Sequence, residues 1–145
     1  RTLRPGEEEA WLRVRNESVR EEPIARHAWS LEDFRREFAE SPYSERGRIF
    51  VAEHSSEVVG VVAAWVFPYH NVEREMVHWL GVLPQHRRRG LGQALVVEAL
   101  RFFKASGAKQ ARLITQSALP KAVRLYRKLG FEVEEERAVY SKPIA

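Results

Sequence analysis

The residue types best suited to chemistry in this chain are concentrated in one run, Val82-Leu83-Pro84-Gln85-His86-Arg87-Arg88-Arg89-Gly90-Leu91-Gly92-Gln93-Ala94-Leu95. Its start reads as the end of a strand and its close as the start of a helix. Between them, two spaced glycines let the backbone turn tightly. The first turn of the helix then presents N–H groups without internal partners, with the positive end of the helix dipole behind them. That geometry binds phosphate. Three adjacent arginines add charge-assisted donors suited to a pyrophosphate or a 3′-phosphate. A Walker loop would need Lys followed by Ser or Thr after its second glycine, where Gln93-Ala94 stand. The dinucleotide fingerprint would need a third glycine, where Leu95 stands.

The elements that must hold this run in place can be read from periodicity and from breaker residues. Glu7-Glu8-Glu9 opens a helix carrying Trp11, Leu12 and Val14, its acidic first turn complementing the helix dipole. A second helix is predicted from an N-cap at Ser30 through Leu31, Phe34, Phe38 and Ala39, stopped by Ser41-Pro42. The irregular stretch between them, Glu21 to Trp29, is suited to shaping a pocket. Ile49 to Glu53 and Val58 to Phe67 read as strands joined by a turn at His54-Ser55-Ser56, the second ended by Pro68. In the strand Met76 to Leu83, alternation would set Val77 and Trp79 on one side and His78, Leu80 and Val82 on the other. A helix from Gly92 through Leu95, Val96, Ala99, Leu100 and Phe103 ends at Gly107, and a short strand follows at Arg112 to Thr115. A last helix from about Pro120 carries Ala122, Val123, Leu125, Tyr126 and Leu129 and stops at Gly130, before strands at Phe131 to Glu136 and Ala138 to Ser141. This order predicts an α/β (α+β) fold in a single domain spanning residues 1–145, with a mixed, mostly antiparallel central sheet of six to seven strands flanked by about four helices.

Composition narrows the class. With 44% hydrophobic and 30% charged residues the chain has the make-up of an ordinary globular protein. The longest apolar run, Val58 to Phe67, falls well short of the roughly 20 residues of a membrane helix, and no leader pattern is visible, so a cytoplasmic location without a membrane partner is expected. The absence of cysteine excludes a disulfide framework, a thiolate metal site and a cysteine nucleophile. His54 and His70 sit in turns without clustered partners, so no metal site is expected. The net charge of +4 favours anionic partners, among them phosphorylated cofactors. The arginine block lacks the interleaved aromatics that stack bases, which argues against nucleic acid.

The run Arg87-Arg88-Arg89-Gly90-Leu91-Gly92 resembles the acyl-CoA signature of the GCN5-related N-acetyltransferase superfamily, (Gln/Arg)-x-x-Gly-x-(Gly/Ala). The preceding Val82-x-Pro84 looks like that family's strand exit. Ala122-x-x-Leu125-Tyr126-x-x-Leu129-Gly130-Phe131 is similar to its closing helix, at the family's usual interval. The resemblance implies acetyl-CoA as cofactor and an N-acetyltransferase acting on the amine of a small molecule or peptide through a tetrahedral intermediate. It implies that Leu80, Gly81 and Val82 pair with the pantetheine amides. It implies further that Arg88, Arg89, Gly90, Leu91, Gly92, Gln93 and Ala94 wrap the pyrophosphate, that Arg87 holds the loop or a phosphate, and that Tyr126 acts as general acid on the departing sulfur. A homodimer is compatible with this reading.

The chain departs from the family where the base is concerned. Many members carry a Glu at the position of Met76 or of Ile114, and neither residue here accepts a proton. Glu75 and His78 are the nearby candidates, with a water-mediated path as the alternative. Leu119 stands where the family often has Asn, leaving Ser117 to cap the last helix. The missing acid also motivates a second reading, a non-catalytic acyl-CoA-binding module.

Overall fold

The computed structural model describes residues 1–23, 27–138, 140, 142 and 144. Helix α1 is Glu8–Ser18, with Glu8 and Glu9 in its first turn. The short α2, Leu31–Phe34, is entered through a reciprocal capping box between Ser30 and Asp33 and runs directly into a π-helical turn, Arg35–Ala39. The expected second helix is therefore present, but its second half is widened by one residue per turn.

Strands β1 (Arg48–His54), β2 (Glu57–Tyr69) and β3 (Val72–Val82) form an antiparallel meander in the order β1-β2-β3. Both hairpins use two-residue turns with both residues at positive φ: Ser55 and Ser56 at 48° and 65°, His70 and Asn71 at 51° and 60°. Such turns match the right-handed twist of the strands they join. Pro68 does not end β2 as expected. It pairs opposite Glu73 and the strand continues to Tyr69, because an N–H missing near a strand end costs the ladder little.

The Val- and Ala-rich middle of β2 is buried on both faces, as its near-continuous apolar sequence demands. One face packs Val59, Val61, Ala63 and Trp65 against Trp11 and Val14 of α1 and against Phe34 and Phe38. The other packs Val62 and Ala64, with Val77 of β3, against Leu95, Val96, Ala99 and Phe103 of α3 (Leu91–Ala105). The last helix, α4 (Pro120–Lys128), adds a half-buried Tyr126 to that second cluster. Ser117 does not cap α4, which has Leu119 at its N-cap and no side-chain cap bond.

Among the described residues three strands stand where six to seven were predicted. Arg112 makes a single parallel bridge to Met76, with Val77 N donating to Arg112 O and Arg112 N to Glu75 O, each at 2.8 Å. The segment beyond it has no further pairing among the described residues. Leu113 packs on the α3 cluster, but Ile114 is 64% exposed, so the second apolar position has nothing to bury against. Phe131 likewise packs, whereas Val133 is 60% exposed amid charged neighbours. A β-prone run without a paired neighbour does not make a strand. Of the expected last strand, Val139 and Ser141 lie outside the described residues.

Regularity also fails inside β3, and this failure shapes the site. Gly81 pairs with Val61 but His78 pairs with Ala63, so Trp79 and Leu80 together oppose Val62, a β-bulge. Trp79 takes a left-handed φ of 52°. The side chains are thereby redistributed relative to simple alternation. Val77, Leu80 and Val82 face the α3 cluster, while Trp79 joins the α1 cluster and His78 turns with it toward Glu37.

Contact between α1 and β3 depends on Gly81, where a Cβ would lie 2.5 Å from Ser18 Oγ and 3.2 Å from Ser18 Cβ. Gly81→Ala should lower stability by about 1–3 kcal/mol, the usual cost of overpacking, read as a reduced urea midpoint at unchanged slope. A loss below about 0.5 kcal/mol would show that α1 is not held against the strand.

Candidate functional site

Between β3 and α3 the chain makes a 3-10 turn, Pro84–His86, then runs through Arg87, Arg88 (φ 61°), Arg89 and Gly90 (φ 77°) into α3. A Cβ on Gly90 would meet nothing within 4 Å, so glycine is required there by the backbone angle and not by crowding. The first α3 bond is Ala94 N to Gly90 O at 3.0 Å. Among the described residues, the main-chain N–H groups of Arg88, Arg89, Gly90, Leu91, Gly92 and Gln93 donate to no other group of the chain. Six successive unpaired donors, with a helix dipole of fifteen residues behind them, form an anion cradle. Beside it lies an open depression of about 380 Å³, lined by Gly90, Gln93, Ala94, Val97, Glu98 and Arg101.

The three arginines divide their work. Arg87 turns inward, its Nε donating to Val82 O at 3.2 Å and its Nη2 to Ser18 O at 2.8 Å. It thus ties the loop to the end of β3 and to the C-terminal carbonyls of α1. Arg88 and Arg89 are exposed beside the cradle. Gly92 marks the contact with α4, where its Cβ would meet Leu125 Cδ2 at an ordinary 3.5 Å.

The edge of β3 leading to this cradle is open. Leu83 N donates to Val59 O at 2.9 Å, which sets the phase of the β2–β3 ladder. By that phase Gly81 directs its peptide groups to β2, whereas Leu80 and Val82 direct theirs outward. Of the expected trio, Leu80 and Val82 have peptide groups on this outer edge, and those of Gly81 face β2. On that outer edge, beyond Val77 and among the described residues, the Arg87 side chain on Val82 O is the contact made. The parallel segment at Arg112 is paired with β3 at the Met76 bridge, and among the described residues its main chain makes no further bond to the strand.

Tyr126 of α4 packs on the α3 cluster, 5.9 Å from the Phe131 ring. Burial, and secondarily the negative charge of Glu22, push its hydroxyl up to about pKa 12. Glu22 belongs to the irregular stretch flagged in the sequence, although no single residue of that stretch could be chosen there. Ile24, Ala25 and Arg26 of the same stretch lie outside the described residues.

Glu75 and His78 part company. They lie on opposite faces of β3, and the Glu75 carbonyl accepts from Arg112 N at 2.8 Å. His78 faces the α1 side, where its ring lies 4.8 Å from Phe67 and 4.3 Å from Trp79, and its Nε2 lies 3.7 Å from Glu37 Oε1. Glu37 also accepts from Trp79 Nε1 at 3.1 Å. Trp79 stands 4.5 Å from Trp29, and the Arg15 guanidinium lies over both rings. Glu37 and Arg15 carried no sequence signal: one reads as the polar face of a helix, the other as an ordinary helical arginine. Among the described residues no group of three metal-ligating side chains occurs, and no helix is long and apolar enough to cross a membrane.

The acetyltransferase (GNAT) family model matches residues 11–131. Similar proteins include mycothiol acetyltransferases of Thermobispora bispora (34% identical over 137 residues, 90% of this chain and 45% of that protein) and Corynebacterium glutamicum strain ATCC 13032 (30% over 135 residues, 93% and 44%). The chain thus spans about half the length of these curated relatives. Among solved structures, aminoglycoside acetyltransferase AAC(6′)-Iy bound to a CoA-S-monomethyl-acetylneamine bisubstrate analog aligns with a TM-score of 0.73 at 18% identity over 99% of this chain and 97% of that one. A transcriptional regulator from Bacillus halodurans C-125 aligns at 0.72 and 20% over 98% and 97%. These structures share the fold. With the family match covering most of its length, the chain belongs to the acetyltransferase (GNAT) family.

Proposed function

We propose that this chain transfers the acetyl group of acetyl-CoA to a primary amine by direct attack, and that residues 1–145 act as one such domain. The observation that carries this reading is the row of unpaired main-chain donors from Arg88 to Gln93 at the end of the open β3 edge. Such a row is matched to a diphosphate, and the edge is matched to the amides of an extended chain attached to it. The guanidinium groups of Arg88 and Arg89 would take the remaining phosphate charge, while Arg87 keeps the loop in register.

A neutral acceptor amine attacks the thioester carbon, whose oxygen is polarised by a main-chain N–H near Val82. The tetrahedral adduct loses a proton from nitrogen, and the carbon–sulfur bond breaks. The sulfur leaves as a thiolate and takes the Tyr126 proton. With its pKa near 12 that hydroxyl stays protonated throughout the working range. An α-amine, of pKa about 7.7–8.0, is largely ready at neutral pH, while a lysine amine near 10.4 needs more assistance. Relatives named for mycothiol and neighbours named for aminoglycosides put those acceptors first in a screen, ahead of amino acids, polyamines and peptide N-termini.

Calorimetry should give a one-to-one heat with acetyl-CoA, and thiol release should follow on adding the right amine. Binding without turnover on any amine would favour a non-catalytic acyl-CoA-binding module, and no heat at all would remove the proposal. Gly92→Glu should weaken binding at least about 100-fold by placing a carboxylate in the cradle. Arg88→Gln or Arg89→Gln should cost about tenfold and flatten the salt dependence. Arg87→Gln should also lower the unfolding midpoint, because its bonds are internal.

Tyr126→Phe should reduce kcat by about 100-fold with acetyl-CoA affinity within about twofold. An unchanged kcat would mean another group protonates the sulfur. Since the folded state raises this pKa above the unfolded value of about 10, the contribution of Tyr126 to stability is intact below pH about 10 and is lost as pH rises toward 12. The wild-type protein should therefore lose stability over that window more steeply than Tyr126→Phe does.

A further inference from the structure

Two departures from regular secondary structure face one another across the α1 side of the sheet. The π-helical turn Arg35–Ala39 points Phe38 into the core and Glu37 toward β3. The bulge in β3 turns His78 and Trp79 to the same face, toward Glu37. An unwidened helix or an unbulged strand would part these groups, and both kinds of defect recur at functional sites. The Glu37 carboxylate is fixed at Oε1 by the Trp79 indole N–H at 3.1 Å, and the same oxygen lies 3.7 Å from His78 Nε2. The imidazole is walled by Phe67 and Trp79, and both partners keep about a quarter to a third of their side-chain surface open.

We propose that His78 is the proton acceptor for the acceptor amine and that Glu37 is its positioning residue, stabilising the imidazolium that forms. This inference rests on the acetyl-transfer reading above and supplies the base that Met76 and Ile114 cannot. As the amine nitrogen bonds to the thioester carbon, its surplus proton passes to neutral His78. The carbon–sulfur bond breaks and the thiolate takes the Tyr126 proton. The imidazolium then returns its proton through solvent to the tyrosinate, so the products are amide and thiol and the enzyme is unchanged. Charged groups near the ring among the described residues include Glu37, from the π turn, and Arg15 of α1, behind Trp79 with its guanidinium 5.2 Å from that indole. From β2 the neighbour is the uncharged Phe67. Glu75 lies on the other face of the strand.

The test is the pH profile of kcat/KM for the acceptor, together with an NMR titration of the His78 ring. His78→Gln should remove the acid limb and lower kcat by about 100-fold or more, the usual scale for a general base, with acetyl-CoA affinity within about twofold. Glu37→Gln keeps an acceptor for Trp79 Nε1 but removes the charge. It should move both the acid limb and the ring's NMR midpoint to lower pH, because loss of an adjacent negative charge disfavours the imidazolium. Glu37→Asp should restore part of each shift, and Glu75→Gln should leave both in place. An acid limb that survives His78→Gln, or that vanishes in Glu75→Gln, overturns the assignment. So does a ring midpoint that does not respond to Glu37→Gln, a measurement that needs no turnover. Failure of the acetyl-transfer reading looks different: wild-type protein that binds acetyl-CoA but releases no thiol with any amine.

Discussion

The structural constraint on which the site depends is the extra residue in β3. A tryptophan in the left-handed region costs about 1–2 kcal/mol, and Trp79 adopts that conformation because the surroundings over-determine it. Its ring is wedged against Trp29 and under Arg15, and its indole N–H is bonded to Glu37. Two consequences follow from this single irregularity. His78 and Trp79 are delivered to the same face of the sheet, and Leu80 and Val82 keep their side chains on the α3 core.

The loop after β3 equips the edge of that strand. Extended backbone at Arg87 and left-handed backbone at Arg88 and Gly90 leave the N–H groups from Arg88 onward without a carbonyl to bond among the described residues, and α3 continues the row for three more residues. A segment with six unpaired donors would be unstable if buried, so it remains at the surface and is anchored from one side only. Arg87 is that anchor. By satisfying Val82 O and the Ser18 carbonyl it couples the loop to α1, which is packed on β3 through Gly81. Cradle, strand edge and first helix therefore form one mechanical unit.

The elements around this unit were largely legible in the sequence, because each carries a local signal. Ser30 with Asp33 at the start of α2, the positive-φ turn at Ser55-Ser56, and the Gly90-x-Gly92 entry to α3 depend on neighbouring residues alone. The bulge was not legible. The apolar pattern from Val77 to Val82 slips by one residue at Trp79-Leu80, but which of the two leaves the α3 face is decided only when Trp29, Arg15 and Glu37 are brought up from elsewhere in the chain. The π turn at Glu37 is hidden for the same reason, since Leu31, Phe34 and Phe38 also satisfy an ordinary helix. The predicted C-terminal strands failed for the opposite reason. Ile114 and Val133 have the right residue type, but no described neighbour pairs with their backbones.

That last failure bears on how the molecule is divided. The core clusters draw on α1, the π turn, the meander and α3, while the segment after Phe131 is attached by exposed polar contacts. Arg112 pairs with Glu134 at 2.8 Å, and Glu135 gathers His70, Arg137 and Tyr69 around it, which hold its carboxyl down to about pKa 2. Exposed ion pairs contribute little each, typically below about 1 kcal/mol. The C-terminal segment is thus fixed to the tip of the β2–β3 hairpin mainly by charge, and little apolar surface is sealed beneath it. Leaving Arg112 unpaired beyond the single Met76 bridge is therefore inexpensive, whereas undoing the bulge would work against its three partners Trp29, Arg15 and Glu37. The β3 edge past that bridge stays unpaired because the strand is strained into shape by packing and the facing segment is only lightly held.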